Sequence, residues 1–167
     1  MNENKATQSW PRRAHLLLLF CMGLALIFSP PALQAQRGAL TLQQNLGELV
    51  GQAHTILRGR VVGARMEPHP EFTNHHTVVI TLQVEETLKG QAGPSFSFRQ
   101  YIWDIRDRYD AAGYKKGGEL LLLLTRPSPY GLSSPVGLEQ GRFRIQRDQQ
   151  GNRYAVNGAG NAGLFRH

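Results

Sequence analysis

The sequence predicts a mainly β protein: a small OB-like barrel, closed or partly open, of five to six strands with one N-terminal amphipathic helix. Val78, Ile80, Leu82 and Val84 alternate with Val79, Thr81, Gln83 and Glu85, the period-two pattern of a strand with one buried face. Leu120 to Leu124 is apolar throughout and, between Gly118 and Pro127, too short for a helix; it suits a strand buried on both faces. Further short strand-like runs are divided by glycine and proline turns, and closing such a set into a barrel removes its exposed edges.

The chain opens with a leader. Lys5, Arg12 and Arg13 precede an unbroken 13-residue apolar run, Leu16 to Phe28, followed by Ser29, Pro30, Pro31 and the triplet Leu33-Gln34-Ala35. A positive segment, a short apolar segment and a small residue at the end form a secretory signal peptide, assigned to residues 1–35. A membrane-spanning helix needs about 20 apolar residues, so the run favours cleavage over anchoring, and membrane contact is expected only before cleavage. The expected destination is the periplasm or the medium. Cys21, the one cysteine, lies inside the leader. The exported chain then has neither disulfides nor thiolate chemistry and must fold around an apolar core.

Residues 36–167 carry 16 basic and 11 acidic side chains, a net charge of +5. Outside the cytoplasm such a charge suits an anionic envelope polymer or the acidic face of an exported protein, and location argues against nucleic acid. Thr41 and Gln44 read as a capping box for a helix over 41–53, in which Leu42, Leu46, Leu49, Val50 and Ala53 recur at helical spacing. Ile56 to Ala64 reads as the first strand, and 66–76, with Pro68, Pro70 and Asn74, as a loop. The 78–84 strand turns at Lys89-Gly90 into a third, carried by Phe96 and Phe98. A long exposed connection is expected over 102–118. Leu120 to Leu124 follows, then Val136 to Ile145 as a strand broken by Gly137 and Gly141. An Asp148 to Asn152 turn leads into a short Tyr154 to Val156 strand. The barrel is assigned to 36–157 and a flexible tail to 158–167.

The runs Ala53-His54-Thr55-Ile56-Leu57-Arg58-Gly59-Arg60-Val61-Val62, Val84-Glu85-Glu86-Thr87-Leu88-Lys89-Gly90, Gly118-Glu119-Leu120 to Leu124 and Gly137 to Ile145 resemble an uncharacterised family of secreted bacterial proteins. More distantly, their order resembles the OB-type barrel of tissue metalloproteinase inhibitors and netrin modules, which implies that fold here. The inhibitors chelate zinc through an N-terminal cysteine, and the exported chain has no cysteine. The resemblance therefore implies a fold and carries over neither mechanism nor residues.

Three constellations are candidates for function. Tyr101, Trp103, Tyr109, Tyr114 and Tyr130 crowd the segments around the third and fourth strands, with Arg106 and Arg108 among them. Exposed rings and guanidiniums supply interface anchors, although such rings also lid the open end of a barrel. Arg58 and Arg60 are two apart on one strand, and Arg142 and Arg144 on another. If those strands are neighbours, four guanidiniums form an anion-gripping stripe; if not, Glu85, Glu86 and Glu139 are their ordinary partners. His69, Glu71 and His75, with Glu67 and His76, offer imidazole and carboxylate groups to a divalent metal. A solvated loop explains the same residues, and adjacent His75 and His76 point to opposite faces of a strand. There is no nucleophile elbow, phosphate loop or helix-borne metal motif, and no cofactor is implied. The residues favour a non-catalytic binding module for an exported protein or envelope polymer, with a metal-binding protein or metal-dependent enzyme built on 67–76 as the alternative.

Overall fold

The computed structural model describes residues 41–102 and 114–166. The expected leader over 1–35 and the candidate residues Trp103, Arg106, Arg108 and Tyr109 lie outside them. The described chain is mainly β, as the alternating runs predict. One short helix, α1 (Leu46–Gln52), precedes strands β1 (Thr55–Pro68), β2 (His76–Lys89), β3 (Ser95–Tyr101), β4 (Glu119–Leu124), β5 (Arg142–Arg147) and β6 (Arg153–Asn157). They form one antiparallel sheet in the order β3-β2-β1-β4-β5-β6, which is not closed. Among the described residues no helix is long and apolar enough to cross a membrane.

β1 organises the sheet. Its whole length pairs with β2, and its first half, Thr55 to Arg60, also pairs with β4. The start of that half, Thr55 to Leu57, is buried on both faces. Leu57 and Val61 join Ile80, Leu82, Phe98, Leu120 and Leu122 in one core, while Ile56 joins Leu49, Leu123, Val136, Phe143 and Leu164 in the other. β4 alternates between the same two cores, which is why it is apolar at five successive positions. Each such side chain contributes about 1.5–3 kcal/mol on full burial.

The register of β1 against β2 shifts at three places, one of them between Arg58 and Gly59, and such bulges bend a strand and sharpen its twist. A Cβ on Gly59 would stand 2.5 Å from the Gln83 carbonyl oxygen, so only glycine permits this approach.

Several elements differ from expectation for physical reasons. The helix starts five residues late. Asn45 Oδ1 accepts from the Glu48 N–H and the Glu48 carboxylate accepts from the Asn45 N–H, at 2.9 and 2.8 Å, which closes a capping box there. Thr41 is diverted to a tertiary contact, accepting from the Gln140 amide at 2.8 Å. β1 runs through Pro68, past the start of the expected 66–76 loop. Beyond Arg60 it has no β4 partner, and a proline that ends an edge strand leaves no ladder bond unmade.

Val136 to Ile145 is not one broken strand. Val136 N–H donates to the Leu123 carbonyl and Leu123 N–H to the Gly141 carbonyl, at 2.8 and 2.9 Å. Residues 137–140 thus loop out as a 3₁₀ turn and return to the same β4 residue. Tyr114, expected on an exposed connection, is buried against Phe98 in the first core. Residues 158–166, expected as a flexible tail, form successive turns. There Asn161 N–H donates to Asn157 Oδ1 at 2.8 Å, and the Leu164 carbonyl accepts from Leu46 N–H at 2.8 Å.

Gly59→Ala is expected to lower stability by about 1–3 kcal/mol, the usual effect of forcing an atom into a filled site. Urea unfolding measures it, and a loss below roughly 0.5 kcal/mol, within the range of neutral surface changes, contradicts the close approach.

Candidate binding surface

At the end of the sheet where β1 passes into β2, the seven-residue connection 69–75 is held by one buried side chain. His69 is 2% exposed. Its Nδ1 accepts from the backbone N–H groups of Glu71 and Phe72, at 3.2 Å each, and its Nε2 lies 2.9 Å from the Tyr130 carbonyl oxygen. An accepting Nδ1 places the ring proton on Nε2, which donates to Tyr130. The imidazole thereby fastens the 69–75 loop to the segment that follows β4.

A row of rings results. His69 stacks on Phe72 at 5.1 Å between centroids, Phe72 meets Tyr130 edge-on at 5.3 Å, and His75 meets Tyr101 edge-on at 5.9 Å. Phe72 and Tyr130 remain 39% and 54% exposed. Aromatic residues anchored this way offer large contact areas with little rotamer entropy left to lose.

Below the rings lies a polar layer. Arg99 donates to Glu67 at 3.0 Å and to Thr77 Oγ1 at 2.7 Å, and Thr77 Oγ1 donates to the Glu67 carbonyl at 2.7 Å. A hydrogen bond from Arg65, followed by one from Arg99, holds the Glu67 carboxyl below the ordinary glutamate range against an opposing desolvation effect. A depressed acid stabilises the fold above its unfolded pKa and loses that contribution as pH falls through the folded value.

The arginine stripe does not form. β4 separates β1 from β5. Arg58 faces Leu121, which faces Phe143, whereas Arg142 faces Leu122, which faces Leu57, so the two arginine pairs lie on opposite faces of the sheet. Arg58 is instead bound to Glu85, Glu86 and Glu119 at 2.7, 3.3 and 2.9 Å, and Arg60 lies 3.8 Å from Glu85. Arg142 is buried over the Tyr114 ring, 5.0 Å from its centroid, and paired with Glu139. Burial raises the Tyr114 hydroxyl pKa far above its usual value, consistent with a core ring. Arg144 is exposed.

The proposed metal ligands are not gathered either. Among the described residues no group of three His, Cys, Asp or Glu side chains is placed to hold an ion. His69 has both nitrogens engaged, and His75 packs against Phe72 and Tyr101.

No protein-family model, curated protein or solved structure matches this chain.

Of the expected binding residues within the described chain, Tyr101 joins the surface. In the sequence His75 reads as a candidate metal ligand and Phe72 carries no signal of its own, because their partners Tyr101 and Tyr130 are distant in sequence. Nothing local marks the groove beside β3, a cleft of about 420 Å³ between Phe96 to Arg99 on one side and His54, Leu124, Thr125 and Ser133 on the other.

His69→Ala leaves two N–H donors and one carbonyl unpaired. It is expected to cost about 1–3 kcal/mol and to speed hydrogen exchange at the Glu71 and Phe72 amides at least tenfold, while β4 amides keep their relative protection. Unchanged exchange at those two amides contradicts the anchoring role of the imidazole.

Proposed function

We propose that this chain is an exported, non-catalytic binding module that docks a protein partner in the periplasm or the medium through the ring surface of Phe72, His75, Tyr101 and Tyr130. The observation that carries the reading is the exposure of Phe72 and Tyr130 on a loop that a fully engaged, buried histidine holds in place. Fixed, exposed aromatic side chains are the usual anchors of protein interfaces. The positive segment, short apolar run and double proline of the leader support export. An anionic envelope polymer is the weaker partner, because Arg58, Arg60, Arg99 and Arg142 each lie against a carboxylate of the chain itself.

The finer form of the fold belongs to the same proposal: an OB-like, partly open barrel. Two isolated bridges support it. Leu132 runs parallel to Arg99 of β3, and Pro135 pairs with Leu124 of β4. The segment 132–135 thereby touches both β3, one edge of the sheet, and β4, an interior strand, and curls the sheet toward itself there.

Chemical cross-linking in intact cells tests the docking role. The double variant Phe72→Ala, Tyr130→Ala is expected to lose the cross-linked partner by about tenfold or more, the range of interface anchors, with its unfolding midpoint little changed. Tyr154→Ala, which removes an exposed ring on β6, is expected to retain it. Equal cross-linking in all three proteins overturns the reading.

A further inference from the structure

We infer that the groove beside β3 takes an extended peptide segment of a protein partner, which adds to the free edge of β3 as a further strand. The inference rests on the reading of the chain as a protein-binding module and names the form of the partner.

The direction of every backbone group along β3 follows from three hydrogen bonds. Val84 N–H donates to the Pro94 carbonyl at 2.9 Å, and Ile102 N–H to the His76 carbonyl at 3.1 Å, so the backbone groups at positions 94 and 102 face β2. The register between β2 and β3 is unbroken from Thr77–Tyr101 to Gln83–Ser95. In an antiparallel ladder the bonding residues alternate, so Phe96, Phe98 and Gln100 also bond to β2. The odd positions face the other way, and Arg99 confirms it by accepting from Ser133 N–H at 2.8 Å on that side. The N–H and C=O groups of Ser95 and Ser97 therefore point away from β2, and among the described residues no backbone group meets them.

What lies beside them is space of a suitable kind. The groove runs along Phe96 to Arg99, with Leu124 and Pro127 among its apolar walls and His54 and Ser133 among its polar ones. Its volume of about 420 Å³ is within the range of ligand clefts. The chain already fills one end of this edge. Leu132 runs beside Arg99 as a parallel bridge, and the turn in which Ser128 and Leu132 bond at 2.8 Å then carries the backbone away before it reaches Ser97. Among the described residues the edge thus accepts a strand at Arg99 and stands open at Ser97 and Ser95. An unpaired row of alternating donors and acceptors over a half-apolar groove is complemented by an extended backbone. From Ser95 to Ser97 a strand rises about 7 Å, room for about three residues of partner beside the edge.

The test selects heptapeptides from a random displayed library on the purified protein and measures the affinity of an enriched peptide by calorimetry. Two derivatives follow, each methylated on alternate backbone nitrogens, in opposite registers. Strand addition predicts that one register loses affinity at least tenfold and the other retains it, because only alternate amides face β3. Ser97→Pro removes an edge N–H at a position where an edge strand tolerates proline, and is expected to abolish binding. If that variant fails to fold, slowed exchange of the Ser97 amide on peptide addition to the unaltered protein replaces it. Equal effects of the two methylation registers, recovery of no peptide, or unchanged Ser97 exchange overturn the inference. Should these fail while cross-linking still depends on Phe72 and Tyr130, the docking role stands without the added strand; loss of both removes both.

Discussion

The structure depends on the double pairing of β1. Over Ile56 to Arg60 this strand is paired with β2 on one side and with β4 on the other, and its neighbours Ile56 and Leu57 enter two separate cores. A one-residue slip against β4 would exchange Ile56 and Leu57 between those cores and turn both out of place. The glycine at position 59 is needed because β2 approaches too closely there for any Cβ. With no cysteine beyond Cys21, this pairing and its two apolar layers stand in place of the disulfides on which many small domains rely.

What the sequence disclosed follows from which signals are local. Alternation at Val78 to Val84 and the continuous run at Leu120 to Leu124 identify strands because burial of one face or two writes itself into successive residues. The Asp148 turn was equally legible: Asp148 Oδ1 accepts from Gln150 and Asn152 N–H groups at 2.9 and 2.8 Å, a contact made within five residues. A hydrogen bond from the Asn152 side chain, helped by these backbone bonds and against a desolvation effect, holds the Asp148 carboxyl below the usual aspartate range. The helix start was not resolved locally, since Thr41-Gln44 and Asn45-Glu48 both fit a capping box. The contact of Thr41 with Gln140, far away in sequence, decides between them.

The candidate surface was partly legible for the same reason. Tyr101 and the histidines of the 69–75 loop stood out as residue types, yet their meaning depends on Tyr130, brought in by the path of the chain after β4. The arginine pairs show the converse. Alternation correctly put Arg58 with Arg60, and Arg142 with Arg144, on one face of each strand, but faces do not name neighbours. With β4 between them the pairs fall on opposite sides, one set into a carboxylate network and Arg142 onto a buried ring. The sheet thereby sets Arg58, Arg60, Arg99 and Arg142 against its own carboxylates, and the described residues leave exposed aromatic rings and unpaired backbone groups at Ser95 and Ser97 as outward chemistry.

Both the ring surface and the groove take their positions from β3, whose inner edge is fixed by β2 and whose outer edge meets the 132–133 backbone at Arg99. The most direct measurement is residue-resolved hydrogen exchange along this strand in the unliganded protein. The structure requires an alternating profile, with Phe96, Phe98 and Gln100 slow and Ser95 and Ser97 fast. Uniform protection from Ser95 to Gln100 would mean that another strand already covers this edge, and the inverse alternation would mean that β3 is displaced by one residue; either result contradicts the account.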